Sequence, residues 1–244
     1  MTEPKRRANR AKNVTRPIKV TLDFQVNPLS SVLIEYGQTK VICSVNFAPG
    51  VPKFLKGTET GWLTAEYGML PSATSERGQR ESSKGKQTGR TLEIQRLIGR
   101  VLRNCVQLEA IGENTFTIDC DVIQADGGTR TASITGASIA LKLAIDRLVE
   151  KKKITAKKPV FLHHASAVSI GVVHQHVLVD LDYIEDSHAQ SDMNFVLNDQ
   201  GEFLEVQASA EESSLSHNHF EEALKLAKES CAEILKVQQN SLKI

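Results

Sequence analysis

The chain has 244 residues, of which 40% are apolar and 24% are charged, and its formal net charge is +1 at pH 7. This balance is typical of a protein with a buried hydrophobic core, and it argues against a disordered chain or a globally basic nucleic-acid binder. The most apolar long stretch, residues 134–149, contains three charged residues, so no membrane span is expected. The basic N-terminus is not followed by an apolar segment, which argues against a secretory signal.

The first third of the chain has the pattern of strands. Apolar and polar side chains alternate over residues 18–26, as they do in a half-buried strand. Further strands, two of them joined by a tight turn at Gly37, are predicted at residues 31–36, 39–45 and 62–67.

A polar segment, residues 72–91, interrupts this pattern. Ala73 is its sole apolar residue, so it cannot fill a core and we predict a long loop, which is usually functional or disordered. A helix follows because apolar residues recur at helical spacing over residues 94–105. Beyond it we predict an α+β arrangement with a strand at 116–124, a central helix at 132–149, strands at 165–173, 176–181, 193–197 and 203–207, and a last helix capped by Asn218 and Glu221.

The charges are unevenly distributed along the chain. Residues 1–16 contain six lysines and arginines and one acid, Glu3, whereas residues 159–224 contain neither lysine nor arginine. We predict that residues 1–16 form a basic tail and that residues 17–244 form a single domain. The tail is either a solvated end or a local basic patch. The acidic block at 159–224 is expected to face, in part, basic surface on a neighbouring subunit.

The four cysteines are scattered along the chain and form no C-x-x-C pair. Three of them lie in segments with apolar periodicity. We therefore expect buried, reduced thiols in a cytoplasmic protein.

Two glycines, Gly127 and Gly128, separate the strand at 116–124 from the central helix. Glycine lets the backbone bend tightly and expose its N–H groups. The start of the helix adds partial positive charge and Arg130 adds a full one, so the segment predicts an anion site, most naturally for phosphate. The alternative is a plain tight connection beside a surface arginine.

A second candidate is the cationic end of the long loop. Arg90 stands just before the helical pattern, where a guanidinium is better anchored than in mid-loop, and its planar fork suits a phosphate oxyanion. The alternative is a solvated charged loop. The basic residues of the segment are Arg77, Arg80, Lys84, Lys86 and Arg90, set against Glu76 and Glu81.

The third candidate is the pair Asp180 and Asp186. Asp180 ends an apolar strand, and two more acids, Asp182 and Glu185, lie between the pair. Hard oxygen ligands near a phosphate site suit Mg²⁺, which stabilises a leaving oxygen, whereas a protonated carboxyl would donate a proton to it. The alternative is a solvated acidic loop. The paired histidines lack a further ligand at a recognisable spacing, so a histidine metal site is not expected.

These segments resemble bacterial ribonuclease PH over nearly the whole chain. The motifs that carry the resemblance are residues 61–67 (GWLTAEY), 80–86 (RESSKGK), 89–100 (GRTLEIQRLIGR), 119–137, 180–187 (DLDYIEDS) and 191–194 (SDMN).

The resemblance implies a phosphate-dependent 3′-to-5′ exoribonuclease that trims the 3′ ends of precursor transfer RNA. Inorganic phosphate, the co-substrate, attacks the last phosphodiester and releases a nucleoside diphosphate, and the reverse reaction adds nucleotides. The implied fold is a single α+β domain of the RNase PH type with a ribosomal-protein-S5-like β-α-β half. The implied assembly is a homohexamer, a trimer of dimers.

The same resemblance implies roles for individual residues. They are Arg90, Gly128, Thr129 and Arg130 for phosphate binding, Asp180 and Asp186 for catalysis and for holding Mg²⁺, and Arg77 and Arg80 for RNA binding and ring assembly.

Two other functions are compatible with parts of the sequence. A catalytically inactive ring subunit would bind RNA without cleaving it, and it would be expected to lack some of the phosphate-binding and acidic residues, all of which are present. A hydrolytic nuclease would release monophosphates and would not need phosphate. The chain departs from the usual family pattern at Ser72 and at residues 208–210. None of these positions is among the matched catalytic residues, so any effect is expected on RNA grip or subunit contacts rather than on chemistry.

Overall fold

The computed structural model describes residues 6–154 and 159–243. Its first sheet contains strands β1 (Ile18–Leu22), β2 (Ser30–Tyr36), β3 (Thr39–Pro49), β4 (Trp62–Met69) and β5 (Asn114–Gln124). The strand order is β1-β2-β3-β5-β4. Strands β4 and β5 are parallel, and the other neighbours are antiparallel. Burial alternates along most of β5, as in a strand with one face on the core. The strand predicted from alternation at residues 18–26 is shorter than expected, because β1 ends at Leu22.

The second sheet contains β6 (Ala165–Val173), β7 (His176–Val179), β8 (Ser191–Asn198) and β9 (Phe203–Ala210). All neighbours are antiparallel, in the order β7-β6-β8-β9. Strand β6 is buried along its whole length, whereas β9 is an edge strand with mostly exposed side chains. The larger hydrophobic cluster includes side chains from both sheets, so the two sheets share one core.

The helices are α1 (Glu81–Lys84), α2 (Gly89–Arg103), α3 (Thr129–Glu150), α4 (Tyr183–Asp186) and α5 (His217–Ser241). Helix α3 is central: fifteen of its 22 residues are buried, and it packs on β2 and β3 of one sheet and on β6 of the other. Gly136 permits this approach, because a Cβ there would lie 2.7 Å from Ile34 and 2.8 Å from Cys43. The α+β class and the central helix predicted from the sequence are confirmed.

The long loop predicted at residues 72–91 is only partly correct. A short helix, α1, lies inside it, and α2 begins at Gly89 rather than after residue 91. The Glu81 carboxylate is the reason, because it accepts hydrogen bonds from the Thr88 and Thr91 hydroxyls at 2.8 and 2.7 Å and so joins α1 to the start of α2. At the other end of the chain Ser216, not Asn218, caps the last helix by accepting from the His219 N–H.

Residues 6–16, which we call the N-terminal arm, lie against the acidic segment that follows β7. Arg6 and Arg16 are only 5% and 7% exposed. Arg6 forms a two-bond ion pair with Glu185, at 2.7 and 2.8 Å. The structure therefore favours a local basic patch over a solvated end for residues 6–16 of the predicted basic tail. Residues 1–5 of that tail lie outside the described residues.

All four cysteines are buried and free, as the sequence predicted. Cys43 and Cys120 face each other across β3 and β5 with their sulfurs 3.9 Å apart. Among the described helices, none combines the length and apolar character that crossing a membrane requires.

Candidate anion and carboxylate site

The turn between β5 and α3 forms the floor of the candidate site. Gly127 and Gly128 both adopt left-handed backbone angles, with φ of +77° and +64°, a region that glycine enters without strain. Gly128 is the N-cap residue of α3 and has no side chain that could accept from the first N–H groups of the helix. The first N–H groups of a 22-residue helix therefore point out of the turn, where they favour an anion.

Gly127 also brings the turn against the acidic segment. A Cβ at this position would lie 2.4 Å from the carbonyl oxygen of Leu181 and 2.7 Å from the carbonyl carbon of Asp182. Since real side chains do not tolerate such distances, glycine is required for the two backbones to touch. The anion turn and the acidic segment, predicted as separate candidates, are thus in direct contact.

Arg130 is held in place by side chains from two other elements. Its Nη1 donates to the Gln207 Oε1 on β9, and its Nη2 lies 3.6 Å from the Glu93 Oε2 on α2. Gln207 in turn donates to Glu93 at 3.2 Å, which closes a three-residue network. A guanidinium fixed this way loses little side-chain entropy when it binds an anion.

Arg90 lies in the first turn of α2 and is exposed, and its charge acts on both Asp186 and Tyr67. Partial desolvation of the carboxylate, part of which stays open to solvent, raises the pKa of Asp186 above its ordinary value, while the charges of Arg90 and Arg130 oppose that rise. Burial likewise raises the pKa of the Tyr67 phenol, again opposed by both arginines. The Tyr67 hydroxyl donates to the Thr129 Oγ1 at 3.0 Å. The structure therefore groups the two arginines, Thr129 and Asp186 around one cleft.

The two carboxylates predicted as a catalytic pair have different surroundings. Asp186 lies at the end of α4 with an exposed side chain that faces the arginines. Asp180 is 1% exposed, and both of its oxygens accept hydrogen bonds from Arg16, at 2.6 and 2.9 Å. A direct contact between Asp180 and a substrate or metal would require Arg16 to move.

Asp192 is a member of the cleft to which the sequence analysis assigned no role. Burial, followed by the negative charge of Asp186, raises the pKa of Asp192 to about 6. The Asn194 side chain donates to its Oδ2 at 3.3 Å, and Glu211 adds further negative charge nearby. The motif at residues 191–194 contains Asp192 and could have pointed to it. A motif of four residues does not reveal which of their side chains faces the cleft.

The loop arginines Arg77 and Arg80 are exposed. The contact of Arg77 is local, with Nη1 3.5 Å from the Gly78 carbonyl oxygen, and Arg80 precedes α1 as its N-cap residue. Within the described ranges, no side-chain hydrogen bond or ion pair joins either of them to a residue of the cleft. Their assignment to RNA binding stays a prediction.

A groove of about 650 Å³ lies on the other side of Tyr67. Glu66, Asp119 and Asp121 line it, and burial together with the charge of Glu66 raises the pKa of both aspartates. An acidic groove repels phosphate groups, so it is not the anion site. The arginine cleft has the positive charge that a phosphate needs.

Three solved structures with the same architecture illustrate the fold. Rice (Oryza sativa) Rrp46 superposes with a TM-score of 0.78 at 18% identity, covering 97% of this chain and 100% of that one. A chain of the Archaeoglobus fulgidus exosome with RNA bound to the active site gives a TM-score of 0.77 at 18% identity, covering 96% and 92%. A chain of an archaeal exosome core gives 0.72 at 18% identity, covering 95% and 88%. At this identity the likeness establishes the fold alone.

Family models match most of the sequence. Residues 15–145 match domain 1 of the 3′ exoribonuclease family, RNase PH, and residues 163–230 match domain 2 of the same family. The first match contains the glycine turn and both cleft arginines, and the second contains the carboxylates. The family models thus treat as two domains what we predicted as one, although the hydrophobic cluster spans both. The chain, with its α+β fold of the RNase PH type, belongs to the RNase PH family of 3′ exoribonucleases.

Proposed function

We propose that this protein is a phosphorolytic 3′-to-5′ exoribonuclease of the ribonuclease PH kind. The observation that carries the proposal is the grouping of Arg90, Arg130 and the α3 N-terminus around the exposed carboxylate of Asp186. Two separate cationic side chains and a row of backbone N–H groups suit a site that must hold two anions at once. In a phosphorolytic reaction these anions are inorganic phosphate and the terminal phosphodiester of RNA.

The chemistry assigned to the site is an exchange of one P–O bond for another. An oxygen of inorganic phosphate forms a bond to the phosphorus of the last phosphodiester, and the bond from that phosphorus to the 3′-oxygen of the preceding nucleotide breaks. The 3′-oxygen takes up a proton. The products are a nucleoside diphosphate and an RNA one nucleotide shorter, and the reverse reaction adds a nucleotide.

In this mechanism the arginines bring the two anions together. Attacking and scissile phosphates repel each other in water, so fixed positive charge lowers the free energy of the encounter. Arg130 is the pre-positioned member, since Gln207 and Glu93 already hold it. Arg90, Gly128 and Thr129 complete the seat for the attacking phosphate, with α3 backbone N–H groups as donors.

The carboxylates serve the leaving 3′-oxygen. Asp186 is the exposed member of the predicted pair, and Asp192 lies beside it with a pKa of about 6, so one of the two is able to hold a proton near neutral pH. Asp180, whose oxygens are engaged by Arg16, contributes by its position rather than by contact.

The residues of the cleft are compatible with Mg²⁺. Asp186 and Asp192 supply hard oxygen donors, but across the described residues no group of three or more histidines, cysteines, aspartates or glutamates is arranged to hold a metal by itself. Mg²⁺ is commonly held by one or two carboxylates together with substrate phosphates and water, and the cleft suits that arrangement. When bound, the ion would stabilise negative charge on the leaving oxygen.

For substrate and assembly we propose precursor transfer RNA ends, gripped in part by Arg77 and Arg80, a cytoplasmic location, and a homohexameric ring. The support is the resemblance of the chain's motifs to bacterial ribonuclease PH. A ring subunit that binds RNA without cleaving it is the alternative, and the similarity of the fold to exosome chains is the observation that favours it.

One assay separates these functions. RNA with a free 3′ end is incubated with the protein and Mg²⁺, with and without inorganic phosphate, and the released nucleotide is identified by mass spectrometry. We expect nucleoside diphosphates that appear only when phosphate is present. Monophosphates in both samples would indicate a hydrolytic nuclease, and binding without any release would indicate an inactive subunit.

A further inference from the structure

We propose that Arg16 is a positioning residue of the phosphorolytic site. It touches neither RNA nor phosphate in this proposal, but it fixes the carboxylate segment and the anion turn relative to each other. The inference rests on the proposed function and adds to it a residue that no motif of the site contains.

The contact between Arg16 and Asp180 is a buried two-bond ion pair. The Arg16 Nε donates to the Asp180 Oδ2 at 2.9 Å, and its Nη2 donates to the Oδ1 at 2.6 Å. The backbone N–H of Arg16 also donates to the Oδ2, at 2.7 Å. Both side chains are almost fully buried, at 7% and 1% exposure. A lysine could not reproduce this fork geometry, because its charge is a single ammonium group.

The same guanidinium binds the anion turn. Its Nη1 donates to the Asp126 carbonyl oxygen, and its Nη2 lies 3.4 Å from the Gly127 carbonyl oxygen. A Cβ on Gly128 would lie 3.0 Å from the Nη2, so the turn is in contact with the guanidinium plane. One side chain therefore connects the carboxylate after β7 to residues 126–128, which precede α3.

Arg16 is itself held from a third side. Its aliphatic stem packs under the β2–β3 turn, where a Cβ on Gly37 would lie only 2.9 Å from the Arg16 Cδ. The guanidinium thus has little freedom to move. The first sheet fixes the position of Arg16, and the ion pair between Arg16 and Asp180 in turn fixes the position of the acidic segment.

The segment from Asp180 to Asp186 connects the residue held by Arg16 to the carboxylate that faces the cleft. Asp180 has a left-handed backbone angle, φ of +53°, which is strained for a non-glycine residue and persists only where surrounding contacts enforce it. Asp182 and Glu185 then form a reciprocal capping box that fixes α4, and Asp186 ends that helix. A shift at Asp180 would therefore move Asp186 relative to the arginines.

The test uses Arg16→Lys in the full chain, with Arg147→Lys as the matched control. Arg147 makes the same kinds of bond, to the Leu29 carbonyl oxygen and to the Asp23 carboxylate, but near the far end of α3. At 1.5 Å per residue it is roughly 25 Å from the anion turn. We expect Arg16→Lys to lower kcat/KM for phosphate on the order of 100-fold, as small displacements of reacting groups do, while RNA affinity stays unchanged.

A double-mutant cycle with Asp180→Asn separates positioning from general loss of stability. If Arg16 acts through Asp180, the double variant loses no more activity than the worse single variant, so the effects are not additive. Equal phosphate kinetics in Arg16→Lys and Arg147→Lys, or additive losses in the cycle, would overturn the proposal.

Two safeguards keep the result interpretable. If Arg16→Lys does not fold, Asp180→Asn alone provides the readout: a raised KM for phosphate with an unchanged kcat supports the proposal. A lowered kcat with an unchanged KM, or a changed melting temperature with unchanged kinetics, refutes it. If the unmodified protein releases no diphosphates at all, the proposed function fails instead, and that outcome is visible before any variant is made.

Discussion

Asp180 and Asp186 show how strongly the surroundings of a residue decide its role. Both are aspartates on one short segment, yet the first is enclosed by Arg16 and the second is open to the cleft. The sequence motif groups them, because motifs record residue types and spacing but not which oxygen atoms are already bonded. The chemical difference between them arises from an arginine 164 residues away in the chain.

Arg90→Ala should weaken the use of phosphate more than the use of RNA. Hydrogen bonds to charged groups contribute about 1.5–3 kcal/mol, so we expect KM for phosphate to rise roughly 10- to 100-fold. Initial rates over a phosphate series measure this directly. Arg96→Ala is the control, because Arg96 is an exposed arginine on the same helix. An unchanged phosphate KM in Arg90→Ala would show that the assigned role is wrong.

Asp192 should make the stability of the protein depend on pH. Its pKa is about 6 in the folded protein, above the ordinary value of 3.8, so the folded state keeps the proton to higher pH than the unfolded state does. The free energy of unfolding therefore falls as pH rises from about 4 through 6. Asp186, Arg130 and Glu211 are the charged groups that face it.

Asp192→Asn removes this titration, so the variant should gain stability over the parent as pH rises from 4.5 to 7.5. Urea unfolding at both values measures the change. Glu150→Gln, at the exposed end of α3, is the control and should show no such difference between the two pH values. If Asp192→Asn behaved like that control, the shifted titration would be refuted.

At the scale of elements, the start of α3 determines how the site is built. The turn needs two left-handed residues in succession and close contact with a second backbone, and two glycines provide both. Glycines in this pattern were sufficient to predict an anion turn. The contact with residues 181–182 was beyond prediction, because nothing in a local sequence indicates which distant backbone packs against a missing Cβ.

Gly127→Ala should therefore lower the free energy of unfolding by more than backbone strain alone would. A left-handed alanine costs roughly 1–2 kcal/mol, and the overlap with the Leu181 carbonyl oxygen adds about 1–3 kcal/mol. Gly201→Ala is a matched control, because Gly201 has a similar φ of +78° with no atom within 4 Å of its Cβ position. Urea unfolding and phosphorolysis should both separate the two variants, and equal losses would contradict the packing argument.

Most of the elements could be predicted because their patterns are local. Alternation indicated β1, helical spacing indicated α2, and a long apolar run indicated α3. The helix inside the polar loop could not be predicted, since it depends on Glu81 reaching hydroxyls seven and ten residues further on. The resemblance supplied the names of the site residues, but the network around Arg130 depends on side chains from α2 and β9 that no single motif includes.

At the scale of the whole molecule, the basic N-terminal arm and the acidic block at 159–224 partly neutralise each other within one chain. Arg6, Arg10 and Arg16 of the arm pair with Glu185 and Asp180 of the acidic block. We predicted from the sequence that this block faces, in part, basic surface on a neighbouring subunit. The structure shows that the chain's own arm neutralises part of it, so fewer of its acids remain for such a contact.

Light scattering tests the assembly prediction. We expect a particle of roughly six times 26.9 kDa in low salt, with partial dissociation near 1 M salt, where the Debye length falls to about 3 Å. A mass near that of one chain in low salt would refute the hexamer. A hexamer that keeps its mass across the salt series would refute an electrostatic interface.

The span between Arg16 and Asp180 has a consequence for biosynthesis. Because the two partners are separated by 164 residues, and Asp192 and Gln207 come later still, the cleft cannot be complete until Gln207 has been synthesised. A product of interrupted translation that ends before Asp180 contains both cleft arginines but lacks the carboxylates that face them. If the proposed function is correct, we expect such incomplete chains not to cleave RNA.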